Sequence, residues 1–209
     1  MDSQFAAYLT FAFLFAVTPG GTTALVVRNT LGGGRRAGLA TAAGAASANG
    51  SYAAATGLGL AVVLARWPSA FELLRIGGAC YLGWLGGQSV WRAVHRPDGG
   101  VLMLSDADSA ERPRTLRPSY RQGLTFNLLN PSIAGFYLTI VPSFLPANAP
   151  PARFALLAGS HVVMAFTCHA AWAVALHRVR RLMTEPWKRR ALEAATGLAL
   201  LGLAVRLLL

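Results

Sequence analysis

Two short stretches of this 209-residue sequence carry residue types that could do chemistry in an apolar setting. One reads Thr18-Pro19-Gly20-Gly21-Thr22, the other Asn127-Leu128-Leu129-Asn130-Pro131-Ser132. Each sets a proline inside a long uncharged run. Proline has no N–H, so the carbonyl four residues back, on Phe15 or Asn127, loses its helical partner. The residue before proline is pushed out of the α region. Thr18 and Asn130 are capping types, and proline is favoured at the first helical position. Each stretch therefore reads as the start of a new half-helix, with Thr18 and Asn130 as N-caps. A helix N-terminus presents unpaired N–H donors and roughly half a positive charge. Two such termini facing each other would hold an anionic group such as a carboxylate. The chemistry implied is recognition of a small anion or zwitterion. Histidine carries protons near neutral pH, and His161 and His169 lie deep within another uncharged run, where ionisable groups point to function.

The elements that position these residues follow from composition. Hydrophobic residues make up 54% of the chain and charged residues 13%. A soluble domain carries about 25% charged residues. Half that supply cannot coat a water-exposed surface, so a soluble globular enzyme is excluded, and the chain is too apolar for disorder. Runs free of Asp, Glu, Lys and Arg cover 4–27, 37–65, 76–91, 122–152 and 154–177, and 191–209 is apolar apart from Glu193 and Arg206. A bilayer core needs roughly 20 apolar residues per helix. The reading is all-α: a polytopic membrane protein of six transmembrane helices, with helices 1 and 4 broken at Pro19 and Pro131. No basic segment precedes the first run, so it reads as a retained span and not a cleaved signal.

The net charge of +11 comes mostly from arginine and is arranged by loop. Fifteen of the 19 basic residues fall in the first, third and fifth connections, and Arg66, Arg75, Arg153 and Arg206 fall on the other side. By the positive-inside rule the odd connections are cytoplasmic and both termini extracytoplasmic. The basic charge thus reads as topology, and no nucleic-acid partner is expected. Residues 1–96 form a first three-helix repeat, 97–118 a cytoplasmic linker, and 119–209 a second repeat. An odd number of spans per repeat makes the two inverted in topology. Inverted repeats with paired broken helices are the layout expected of secondary transporters.

Other features add less. Cys80 and Cys168 stand alone in apolar runs, so no disulfide or metal site is expected. Gly32-Gly33-Gly34 lacks the GK[ST] ending of a phosphate loop, and no GxSxG or HExxH motif is present. Neither an enzyme nor a cofactor is therefore expected. Gly83 and Gly87 form a GxxxG pair suited to internal packing or a homo-oligomer face. Trp67, Trp91 and Trp187 lie at span ends as interface anchors.

Several stretches taken in order resemble the lysine exporter family (the LysE type, with the homoserine and threonine exporters). They are Thr18-Pro19-Gly20, Arg28-Asn29-Thr30-Leu31, Gly34-Arg35-Arg36-Ala37-Gly38-Leu39, Gly77-Gly78-Ala79-Cys80-Tyr81-Leu82-Gly83-Trp84, Tyr120-Arg121-Gln122-Gly123-Leu124, Asn127 and Asn130-Pro131. The chain departs from the family pattern at Gly21 and Thr22, at Ser132 and at Asn49, where the family usually has proline and asparagine, lysine, and an acid. In the fifth span, where the family has another acid, the polar residue is His169. The resemblance implies a bacterial inner-membrane exporter of amino acids or similar small zwitterionic metabolites. It also implies proton-motive drive, for which His169, and secondarily His161, is by residue type and place the candidate proton carrier. Backbone N–H groups after Thr18 and Asn130, through Pro19, Gly20, Gly21, Pro131 and Ser132, would bind the substrate carboxylate. Thr22, Asn49 and Asn127 would contact its other polar parts. The alternative is a non-transporting membrane assembly partner that retains the fold.

Overall fold

A computed structural model describes residues 3–58, 68–95, 116–146, 149–182 and 186–209, and all regular structure among them is helical. The helices are α1 (Ser3–Val17), α2 (Gly21–Gly57), α3 (Pro68–His95), α4 (Arg117–Leu128), α5 (Pro131–Ser143), α6 (Pro151–Leu182) and α7 (Pro186–Leu208). A π turn occupies Phe136–Ile140 within α5. The linker expected at 97–118 lies outside the described residues except for its end, where Leu116 precedes α4 and Arg117 and Pro118 open it. Trp67 also lies outside them.

At 37 residues, α2 would be about 55 Å long if continuous, but it is not continuous. Gly34 has φ 80° and ψ −179°, a conformation essentially reserved for glycine. Beyond it the chain doubles back. The Asn29 amide donates to the Thr41 hydroxyl at 2.8 Å. A continuous helix would hold those residues about 18 Å apart. A Cβ on Gly38 would also collide with the Thr30 side chain. The two legs of α2 are therefore antiparallel neighbours, with exposed Arg35 and Arg36 at the turn.

By length and apolarity, residues Pro151–Arg178 of α6 can cross a membrane alone. The pairs α1 with α2 and α4 with α5, bent by 47° and 58°, qualify when each pair is taken as one broken span. Within α7, Ala194–Arg206 is a shorter apolar helix. Among the described residues, helix length and apolarity thus establish fewer spans than the six read from charge-free runs. Residues 59–65, the end of the second charge-free run, lie outside the described residues, and the described second leg of α2 is rich in Ala, Gly, Ser and Thr.

Small residues set the packing. A side chain on Gly44 would run into the Tyr120 carbonyl, and one on Gly123 into the Thr41 carbonyl, so α2 and α4 touch backbone to backbone. The crossing of α3 with α7 runs through Gly86 and Gly197 in the same way. Close approach of this kind gains dispersion energy where the hydrophobic effect between helices is absent. Gly83 and Gly87, by contrast, face open space. Three apolar clusters result, the smallest formed by Val26, Ala42 and Ala173. Tyr8, Tyr52, Phe136, Tyr137 and Leu157 anchor one of the two larger, between α1, α2, α5 and α6. Leu25, Leu82, Leu85, Phe126 and Leu200 anchor the other, between α2, α3, α4 and α7.

Candidate functional site

A cavity of about 470 Å³ lies between the two larger apolar clusters, bordered by Phe15 and Ile133 on one side and Leu82, Phe126 and Leu203 on the other. Thr18, Pro19, Gly20, Gly21 and Thr22 line it from the first break, and Asn127, Asn130 and Ser132 from the second. Asn49, His161 and His169 complete the polar lining among the expected residues, while Pro131 is buried behind and does not line it.

The two breaks are built differently. At the second, Asn130 is the N-cap, and its side-chain oxygen accepts from the Ser132 N–H at 3.0 Å. The carbonyl that Pro131 frees, on Asn127, takes the Asn130 N–H at 3.3 Å, and the Tyr52 hydroxyl donates to the next carbonyl, Leu128, at 2.6 Å. At the first break the expectation that Thr18 is the N-cap, with Pro19 at the first helical position, is corrected. The Thr18 hydroxyl donates backwards to the Leu14 carbonyl at 2.7 Å and so closes α1. The N-cap of α2 is Gly20, extended at φ −140° and ψ −165°, with no side-chain bond. A threonine hydroxyl both donates and accepts, so it can end a helix as well as start one. The first N–H groups of α2, on Gly21, Thr22 and Thr23, lack an intrahelical acceptor by position and border the cavity.

Asn127 joins three helical segments. Its amide donates to the Ala45 carbonyl at 3.0 Å and to the Asn49 side-chain oxygen at 2.6 Å. Its own oxygen accepts from the Thr22 hydroxyl at 2.7 Å. A carbonyl only accepts, so Ala45 fixes which end of Asn127 carries nitrogen, and that in turn fixes Asn49. All three side chains are buried. Both Asn127 amide protons are engaged. The Asn49 N–H donors are the ones in this network with no partner among the described residues.

The face of α6 with His161, Ala165 and His169 at four-residue intervals lines the opposite wall. His161 shares a 2.9 Å hydrogen bond through Nδ1 with the Tyr137 hydroxyl and lies against the Phe136 ring, with centroids 4.0 Å apart. One lining residue was assigned elsewhere from sequence. Arg206, counted with the charges outside the membrane, borders the cavity and is the one charged lining residue among those described. Its signal in sequence was present but weak: Leu203 and Arg206, three residues apart, share a helical face. Tyr52 and Tyr137 carried no sequence signal that set them apart from core aromatics. The arrangement can hold a small polar molecule between amide donors, neutral hydrogen-bonding side chains and a guanidinium.

Residues 13–209 match the family described as LysE type translocator. The chain is 28% identical over 192 residues to a homoserine/homoserine lactone efflux protein of Salmonella typhimurium, covering 91% of this chain and 89% of that one. It is 28% identical over 208 residues to a leucine efflux protein of Klebsiella pneumoniae, covering 98% and 94%. It is 33% identical over 172 residues to an uncharacterized membrane protein of Escherichia coli, covering 79% and 71%. No solved structure matches the chain.

Proposed function

This chain belongs to the LysE-type translocator family, and we propose that it exports amino acids by alternating access through the cavity between its two interrupted helices. It is a membrane transporter and not an enzyme. The efflux of amino acids by its relatives supports an amino-acid substrate. The observation that carries the mechanism is the convergence of both breaks, 105 residues apart at Thr22 and Asn127, on one polar cavity.

In this reading the six spans are α1 with the first leg of α2, its second leg, α3, α4 with α5, α6, and α7. They form two inverted repeats in the bacterial inner membrane with both termini outside. The free amides of Gly21, Thr22 and Thr23 bind the substrate carboxylate. Asn49 donates to a second polar group. Asn127 holds Thr22 and Asn49 in register and is not itself the main contact. A proton gradient supplies the drive, and His169 carries the proton, with His161 held in reserve by Tyr137. The half-helices on either side of each break are the elements that rock.

The experiment is efflux from proteoliposomes loaded with a panel of neutral L-amino acids, with and without a pH gradient. Gradient-stimulated release of at least one amino acid is expected, and replacing His169 with Gln should remove the stimulation while leaving slow downhill release. Absence of any flux, from protein shown to be inserted and folded, would sink the transport reading in favour of a membrane assembly partner.

A further inference from the structure

We propose that Arg206 sets the specificity of the cavity by receiving the carboxylate of the transported molecule, so that molecules lacking a free carboxylate are bound poorly. This rests on the export reading of the same cavity. Arg206 is the one charged residue among the described lining residues, and it has no hydrogen-bond or ion-pair partner among the described residues. The other polar groups that line the cavity with it are amides, hydroxyls and imidazoles. A guanidinium presents a planar fork of donors that matches a carboxylate with two parallel bonds. Its helix is held in place. The crossing of Gly86 with Gly197 and the burial of Leu200 and Ala204 fix α7 against α3, with Leu203 one turn before Arg206 on the cavity wall. The start of α2, where Gly20 caps without a side-chain bond, borders the same cavity. A carboxylate there lies between backbone N–H donors and a full positive charge, while an amide or ester lacks the charge that the guanidinium rewards.

A structural explanation competes. Arg206 lies in the last turn of α7, where a cation is favoured by the helix dipole, and it would also reach a lipid phosphate. The full-length wild-type protein, Arg206→Ala and Arg206→Lys are compared for binding, by ligand-dependent thermal shift in detergent, and for efflux from proteoliposomes. The probes are neutral L-amino acids, each beside its own amide. Arg206→Ala is expected to weaken binding and efflux of the amino acids about tenfold or more, the scale of a lost charge-assisted contact. The amides should change less than about twofold, and Arg206→Lys should fall between. Equal loss for acids and amides, or no change for either, overturns the proposal and leaves a structural or lipid-facing arginine. Wild-type protein that binds an amino acid without moving it overturns the export reading alone, and the affinities still decide the role of Arg206. Wild-type protein that binds neither acid nor amide overturns both.

Discussion

Asn127 ends α4 with both amide protons and its oxygen engaged, on Ala45, Asn49 and Thr22. Replacing it with Leu strands the buried Thr22 hydroxyl and the Asn49 side-chain oxygen, while the Ala45 carbonyl keeps its helical partner. A stranded buried polar group costs about 1–3 kcal/mol, so Asn127→Leu is expected to lower the thermal midpoint in detergent as well as abolish efflux. Tyr137→Phe removes one hydrogen bond from His161, worth about 1 kcal/mol. It tests whether the histidine needs that partner for gradient stimulation.

Gly34 and the Gly44/Gly123 contact carry the architecture of the central elements. At Gly34 a side chain meets a backbone conformation that costs non-glycine residues about 1–3 kcal/mol. Gly34→Ala should therefore destabilise the hairpin within α2, measured as a lower thermal midpoint and as loss of a disulfide engineered between positions 29 and 41. Gly123→Val drives α4 away from α2 and should be the more damaging change, because backbone cannot yield as a side chain tip can. Interruption of the helices near both prolines could be read from residue types, since a missing N–H is a property of the residue alone. The capping roles could be read only in part. Asn130 caps as its type suggests. Thr18 does not, because whether its hydroxyl turns forward or back depends on which carbonyl lies nearer in the folded chain.

Across the whole molecule, the arginine asymmetry and the cavity make one connected claim about direction. Under the proposed topology, which puts Arg35 and Arg36 of the α2 turn on the cytoplasmic face, Arg35→Cys in a background lacking Cys80 and Cys168 should be labelled from the cytoplasm, and Ser3→Cys from outside, by membrane-impermeant maleimide. Labelling of both from one side would break the inverted arrangement on which alternating access depends. The cavity lies between two separate apolar clusters, with Asn127 and Thr22 bonded across from one half to the other. In the proposed alternating access, movement of one half against the other breaks or remakes that contact. Binding of substrate and the Asn127 network are therefore expected to be linked.

Composition and residue order were enough for the membrane setting, the all-helical class, the helix interruptions and most of the cavity lining, because bilayer burial and the lack of a proline N–H act locally along the chain. The partners of Asn127, the backward turn of Thr18 and the Tyr137–His161 bond were not legible there, and the arrival of Arg206 from the last helix only weakly so. Each depends on residues distant in sequence meeting in space, and which groups meet is set by how glycine contacts let the helices dock, not by any property of the residues taken one at a time.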